Sequence, residues 1–254
     1  MKMTGNTILI TGGGTGIGRS LAEAFHALGN TVIIAGRRQS ALDEVVQANP
    51  GMKAAQLDIE QPEAIHAFAA KIAADYPALN VLINNAGIMR PENLLAEPVD
   101  LTDAETTVTT NFLGPIRLTS ALLPHLKKQA AATIVSVTSG LAYLPLATTP
   151  TYCATKAAIH SYTVTLRYQL RSTNVQVLEI VPPYVQTELM GSQQATDERA
   201  MPLQDFIQET MTILKEQPEA TEICVQRVLP LRNAEKSGEF EKAFTDFNTA
   251  MAGH

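Results

Sequence analysis

Tyr152 and Lys156 stand four residues apart in Tyr152-Cys153-Ala154-Thr155-Lys156, which opens an alanine-rich run with a helical pattern. That spacing sets a phenol and an ammonium on one helix face, one turn apart. An ammonium held there stabilises a phenolate, lowers the tyrosine pKa and lets the phenol exchange protons near neutral pH. A packed tyrosine beside a solvated lysine has the same spacing, so the pair gains chemical meaning only from what the rest of the chain places around it.

The elements that would position such a pair are short apolar runs, each emptying into a polar or glycine-rich turn. Thr7 to Thr11 reads as a buried strand that runs into Gly12-Gly13-Gly14-Thr15-Gly16-Ile17-Gly18 and then into a helix from Ser20 to Leu28. A strand, a glycine turn and a helix N-terminus form an anion cradle. The spacing is TGxxxGxG, with Gly12, Gly16 and Gly18 as its members, rather than GxGxxG, which would need a glycine at Ile17. A second strand, Thr31 to Ala35, ends in Gly36-Arg37-Arg38 with no acid to take ribose hydroxyls. Two guanidinium groups there suit a 2′-phosphate, which favours NADP(H) over NAD(H); solvated arginines at a helix start are the plainer alternative.

Further strands over 54–58, 81–85, 133–137 and 176–181 carry Asp58, Asn85 and Ser139 at or just beyond their carboxyl ends, where ligands sit in open α/β sheets. Asp58 is either a cap for the helix beginning near Pro62 or an acceptor near an adenine. Asn85, Ala86 and Gly87 suit a close backbone approach to a ligand or a tight turn. Asn111 lies in a long helical pattern from Thr102 to Lys128, beside Gly114-Pro115, where a kink would free carbonyl groups.

Composition narrows the class. The chain has 254 residues, 45% hydrophobic but only 5% aromatic, which fits buried parallel strands covered by helices. A net charge of −6 argues against a nucleic-acid or anionic-membrane surface. Cys153 and Cys224 lie far apart and suit free thiols in a reducing compartment, so cytoplasm is expected. The five histidines lack HxxxH or HExxH spacing, and no catalytic metal is expected.

Taken together, these residues resemble the short-chain dehydrogenase/reductase family over essentially the first 190 positions. Thr11-Gly12 with Gly16-Ile17-Gly18 is similar to its cofactor loop, and Asn84-Asn85-Ala86-Gly87 to its NNAG turn. Asn111, Ser139, Tyr152 and Lys156 match its catalytic tetrad in order and spacing, with thirteen positions from serine to tyrosine. The resemblance implies a Rossmann-like doubly wound parallel sheet flanked by helices, as one domain over 1–254. It implies NADP(H) held by the Gly12, Thr15, Gly16, Ile17 and Gly18 loop, Arg37 and Arg38, Asp58 and Ile59, Asn85 to Gly87, Tyr152, Lys156, Pro182, Val185 and Thr187.

In the implied reaction Tyr152 is the general acid or base at a carbonyl or alcohol oxygen, and Ser139 hydrogen-bonds the same oxygen. Lys156 holds the nicotinamide ribose and Asn111 a relay water. His160, one turn past Lys156, is expected to pack or be solvated, and Cys153 to be a packed thiol.

Three departures from the family pattern set further expectations. Pro183 replaces the usual glycine after Pro182, which should stiffen or shift the nicotinamide-side loop. Residues 188–214 should form a substrate lid, and Leu141, Tyr143, Tyr184, Leu189 and Met190 an apolar pocket for a small to medium ketone, aldehyde or secondary alcohol. From Ala220 onward the pattern reads as helix, so six strands with a helical tail are expected. Without a last strand the chain should form a homodimer through the helices carrying Asn111 and Tyr152. The tail also loosely resembles a subgroup linked to D-alanyl transfer to cell-wall polymers.

Overall fold

Runs rich in isoleucine, valine and leucine need cover on both faces, and the chain provides it with a parallel sheet between two layers of helices. The computed structural model describes residues 1–252. Strands β1 (Thr7–Thr11), β2 (Thr31–Gly36), β3 (Lys53–Gln56), β4 (Leu79–Asn84), β5 (Ala132–Val137), β6 (Val175–Val181) and β7 (Glu222–Cys224) pair in the order β3-β2-β1-β4-β5-β6-β7. Every pairing is parallel. The order reverses between β1 and β4, so a ligand crevice opens beyond their carboxyl ends.

Period-two alternation along the strands sorts side chains to the two faces. Ile8 and Ile10 face one layer, where Phe25 of α1 (Gly16–Ala27) and Leu42 and Val45 of α2 (Gln39–Ala48) cover them. Leu9 faces the other, among Ile65 and Ile72 of α3 (Pro62–Asp75). The long central pattern resolves into α4 (Thr102–Val108), a π-helical turn (Thr109–Leu113) and α5 (Gly114–Leu126), whose Leu118 and Leu122 join the second layer. After β5 come a 3-10 turn (Gly140–Ala142) and α6 (Pro150–Leu170).

Two expectations are corrected here. A seventh strand does form: β7 pairs with β6 from Glu179↔Glu222 to Val181↔Cys224. It is three residues long with one fully buried side chain, Ile223, too short for alternation to register in the sequence. The dimer argument built on a missing strand therefore falls away.

The expected lid of 188–214 also divides. After α7 (Ser192–Thr196), α8 (Leu203–Glu216) sends Phe206, Ile207 and Leu214 into the core, so only the stretch before it lies free to cover a site. α9 (Leu229–Arg232) and α10 (Phe240–Ala252) close the described chain. No helix among the described residues is long and apolar enough to cross a membrane.

Candidate active site

The glycine loop is shaped by close approach. A side chain at Gly18 would place its Cβ 2.2 Å from the Gly12 carbonyl oxygen, and one at Gly12, where φ is +67°, would lie 2.9 Å from Ala86 Cα. Backbone of the α1 entrance, the Gly12 turn and the β4 turn thus touch directly. Asn85 ties them, its Nδ2 donating to the carbonyls of Thr11 (3.0 Å) and Gly12 (3.3 Å), so this amide braces the cradle.

Above the loop runs a cleft of about 190 Å³ lined by Gly12, Thr15, Arg37, Arg38, Ile59, Ala86 and Gly87. Thr11 and Gly14 of the same loop also line it, as do Leu42, Leu57, Ile88 and Thr110, which carried no sequence signal. A cleft lined by the glycine turn ahead of a helix N-terminus and by two arginines suits the phosphate-bearing part of a dinucleotide. Gly16, Ile17, Gly18, Asp58, Asn85, Tyr152, Lys156, Pro182, Val185 and Thr187 are not among the residues that line it.

Asp58 is not the α3 cap, because its Oδ1 accepts from the Glu60 amide at 3.0 Å while Gln61 precedes the helix. Thr187 Oγ1 and the Val185 carbonyl both accept from Gln194 Nε2, at 3.1 and 2.8 Å. The Pro182 carbonyl accepts from Gly140 at 2.8 Å, joining the β6 exit to the turn after Ser139. The two arginines differ. Arg37 Nη1 pairs with Glu60 Oε1 at 2.7 Å, whereas Arg38 makes no ion pair among the described residues.

Asn111 sits in the π-helical turn, buried, with its side chain turned to the β4 exit. Its Oδ1 accepts from the Ile88 amide and its Nδ2 donates to the Ile88 carbonyl, both at 2.8 Å, and Nδ2 also reaches Thr155 Oγ1 at 3.3 Å. The amide therefore ties the β4 exit to α6 from both of its ends. A side chain at Gly87 would lie 3.2 Å from Asn111 Oδ1 and 3.7 Å from Lys156 Nζ, so the chain passes close to both polar groups here.

Tyr152, Lys156 and Ser139 do converge. Tyr152 and Lys156 are buried on one face of α6, with Nζ 5.6 Å from the phenol ring centre. Lys156 Nζ donates to the Val137 carbonyl at the end of β5 at 2.9 Å, two residues before Ser139, and the Ser139 hydroxyl, which accepts from the Leu141 amide at 3.1 Å, stands near the phenol. The expected lowering of the Tyr152 pKa is corrected. Burial dominates and raises it, the nearby Ser139 hydroxyl opposing only in part. Burial also lowers Lys156 to about 8, and the negative charge of Glu179 works against that fall.

Residues 6–198 match the model of the short chain dehydrogenases. The chain belongs to that family. It is 43% identical over 255 residues to the uncharacterized oxidoreductase DltE of Bacillus subtilis (strain 168), covering 98% of this chain and 99% of that one. A short-chain dehydrogenase from Streptomyces avermitilis superposes with a TM-score of 0.81 at 26% identity, over 98% and 99% of the two chains. The closed form of a serine dehydrogenase complexed with NADP+ gives 0.76 at 27% identity, over 85% and 92%. As a member of the family the protein is an oxidoreductase that uses a nicotinamide cofactor and acts on CH–OH or C=O groups.

The wall beside the phenol in this short-chain dehydrogenase departs from the sequence reading. Tyr152 and Cys153 cluster with Met89 and Leu146, and with partly buried Leu141, Leu189, Phe247 and Met251. Leu141 and Leu189 were expected; Phe247 and Met251 come from α10, more than ninety residues along the chain. Asn248 on the same helix accepts from the Ala147 amide (2.6 Å) and donates to the Pro145 carbonyl (3.1 Å), clamping the tail to the loop before α6.

Three expected pocket residues lie elsewhere. Tyr143 packs against the first core layer, its hydroxyl 2.9 Å from His160 Nδ1 and 3.1 Å from Glu179 Oε1. Tyr184 donates to Asp197 at 3.1 Å, and Met190 is exposed. His160 is neither simply packed nor simply solvated, because Nδ1 lies 2.8 Å from Glu179 Oε2. Cys153 is a buried thiol held near the Leu146 amide.

Proposed function

We propose that this short-chain dehydrogenase is an NADPH-dependent carbonyl reductase for a small to medium, mostly apolar ketone or aldehyde, running in reverse on the secondary alcohol. One observation carries the reading: a buried phenol near the Ser139 hydroxyl, one helical turn from Lys156 and beside an apolar cluster, with the glycine-loop cleft opening on the same edge of the sheet. Tyr152 keeps its proton at neutral pH because burial raises its pKa, so it is loaded as the acid that protonates a substrate oxygen. Ser139 aims that oxygen at the phenol.

Lys156 holds the cofactor ribose with its charge, and Asn111 pins Ile88 and Thr155, fixing the floor under both. When bound, the dinucleotide supplies or accepts the hydride. Arg38, lining the cleft without an ion-pair partner among the described residues, supports a 2′-phosphate and hence NADP(H).

The chain acts as one 1–254 unit in the cytoplasm, with the segment 188–200 as its lid. It pairs as a homodimer through the Asn111 and Tyr152 helices, whose Val108, Val164 and Tyr168 are exposed. Light scattering should give twice the 27.3 kDa chain mass. The function is tested by NADPH and NADH oxidation with a panel of ketones, aldehydes and hydroxylated analogues. Turnover of apolar ketones with NADPH is expected, and a lack of oxidation with every carbonyl in the panel would overturn it.

A further inference from the structure

Glu179 is a fully buried carboxylate on β6, the strand that contacts β5 with Glu179 opposite Ser136. A charge so placed is costly unless several donors meet it. Three do. Thr138 Oγ1 donates to Oε1 at 2.7 Å, the Tyr143 hydroxyl donates to Oε1 at 3.1 Å, and His160 Nδ1 lies 2.8 Å from Oε2.

The identities of these donors matter more than their number. Thr138 and Tyr143 bracket Ser139, one before it and one just after the 3-10 turn that Ser139 begins. Thr138 also follows Val137, whose carbonyl accepts from Lys156 Nζ. His160 is one turn beyond Lys156 on the same face of α6. Glu179 therefore grips the residues on either side of the serine, and two of its partners, Thr138 and His160, are neighbours of the groups that hold Lys156.

We propose that Glu179 is a positioning residue of the reaction: its carboxylate fixes the Ser139 segment through Thr138 and Tyr143 and sets a negative charge behind Lys156, held by His160 one turn further along α6 and by Thr138 next to the Val137 carbonyl that Lys156 grips. The proposal rests on the catalytic reading of Ser139 and Lys156 given above. Lys156 faces Tyr152 from its own helix and Glu179 from β6, with neutral Asn111 from the π turn. Around Glu179 stand Tyr143 and His160, and beyond them Glu222 and Cys224 of β7, Arg167 of α6 and Arg232 of α9.

Ligand atoms of His160, Glu179 and Glu222 lie within 4.8 Å of one another, a grouping a cation could use. The donors already present speak for a hydrogen-bonded network instead. Arg232 occupies both Glu222 oxygens, at 2.7 and 3.1 Å, and its guanidinium covers the Tyr143 ring at 4.3 Å.

The test reads the charge of Lys156 directly. In full-length chain labelled with carbon-13 at the lysine ε position, the Lys156 signal is assigned by its loss in Lys156→Arg and titrated by NMR, without cofactor or substrate. Glu179→Gln, which keeps shape and removes charge, should lower the Lys156 midpoint by about one pH unit or more. Thr138→Val, which keeps the charge, should leave it within a few tenths of a unit. The alkaline limb of the kcat profile for carbonyl reduction should move with the Gln midpoint.

If the Gln chain does not fold, the triple variant Glu179→Leu, Thr138→Val, Tyr143→Phe removes the carboxylate together with two donors, leaving few groups unpaired, and should give the same shift. An unchanged Lys156 midpoint, or a shifted midpoint with an unmoved kcat profile, would overturn the proposal. A shifted midpoint in a protein that reduces no carbonyl would instead overturn the catalytic reading, so the two failures are distinguishable.

Discussion

Arg37→Ala and Arg38→Ala should have very different effects, although the residues are adjacent and both line the cleft. Arg37 is tied to Glu60 at 2.7 Å, and Glu60 also accepts from Thr110 at 2.9 Å, so any phosphate must compete with a carboxylate already in place. Arg38 has no such partner among the described residues. A charge-assisted hydrogen bond from guanidinium to phosphate contributes roughly 1.5–3 kcal/mol, equivalent to roughly 10- to 150-fold in Kd. Arg38→Ala should therefore raise the NADPH Kd by at least about tenfold.

Arg37 contributes on the scale of an exposed ion pair, about 0–1 kcal/mol, so its removal should raise that Kd less than about fivefold. Neither change should alter the NADH Kd more than about twofold, because the group that distinguishes the two dinucleotides is the phosphate. Isothermal titration at fixed ionic strength measures all six constants, and added salt should narrow the Arg38 effect. Equal losses for NADPH and NADH, or a larger loss at Arg37 than at Arg38, would refute the reasoning.

Gly18→Ala places a methyl 2.2 Å from the Gly12 oxygen and 2.4 Å from Asn85 Nδ2, and should lower stability by about 1–3 kcal/mol in denaturant melts. Gly14→Ala, whose nearest contact would be 3.3 Å, should melt close to wild type. Lys156 loses its proton as pH rises through about 8 while Tyr152, raised by burial, stays protonated, so kcat/KM for reduction should hold below that value and fall above it.

The same depression has a sign for folding. Between about 8 and 10.5 the unfolded chain holds more proton at this lysine, so its burial penalises the fold at lower pH and is relieved across that window. Phe247→Ala opens the wall over Tyr152 and should raise KM for bulky ketones several-fold with a smaller change in kcat, measured by steady-state kinetics.

What the sequence reveals and what it hides follow from how far apart the interacting residues are. Gly12, Arg38, Gly87, Ser139, Tyr152 and Lys156 are legible because strand ends address one edge of a sheet and the chemistry sits in the turns. That the helix is irregular around Asn111 is legible too, since Gly114-Pro115 interrupts a helical run; the structure answers it with a π-helical turn and sends the amide to Ile88 instead of to carbonyls of its own helix.

Tyr143 was misread because nearness to Ser139 in the chain suggests a pocket, whereas Glu179 and His160 draw its hydroxyl the other way. Phe247 and Met251 were hidden because docking of α10 depends on Asn248 meeting the Pro145–Ala147 loop, a pairing no local pattern records. β7 escaped because one buried side chain makes no period, and the core side of α8 was mistaken for a lid because methionine and phenylalanine suit either.

The central claim is that the Tyr152 phenol delivers the proton in a carbonyl reduction. It is tested most directly by Tyr152→Phe, which removes one oxygen from a buried ring and leaves its packing against Met89 and Leu146 in place. With a ketone that the unaltered protein reduces, kcat/KM should fall by at least about 100-fold, the scale of a lost general acid, while the NADPH Kd stays within about threefold. A Phe variant that retains most of its reductase activity would contradict the account.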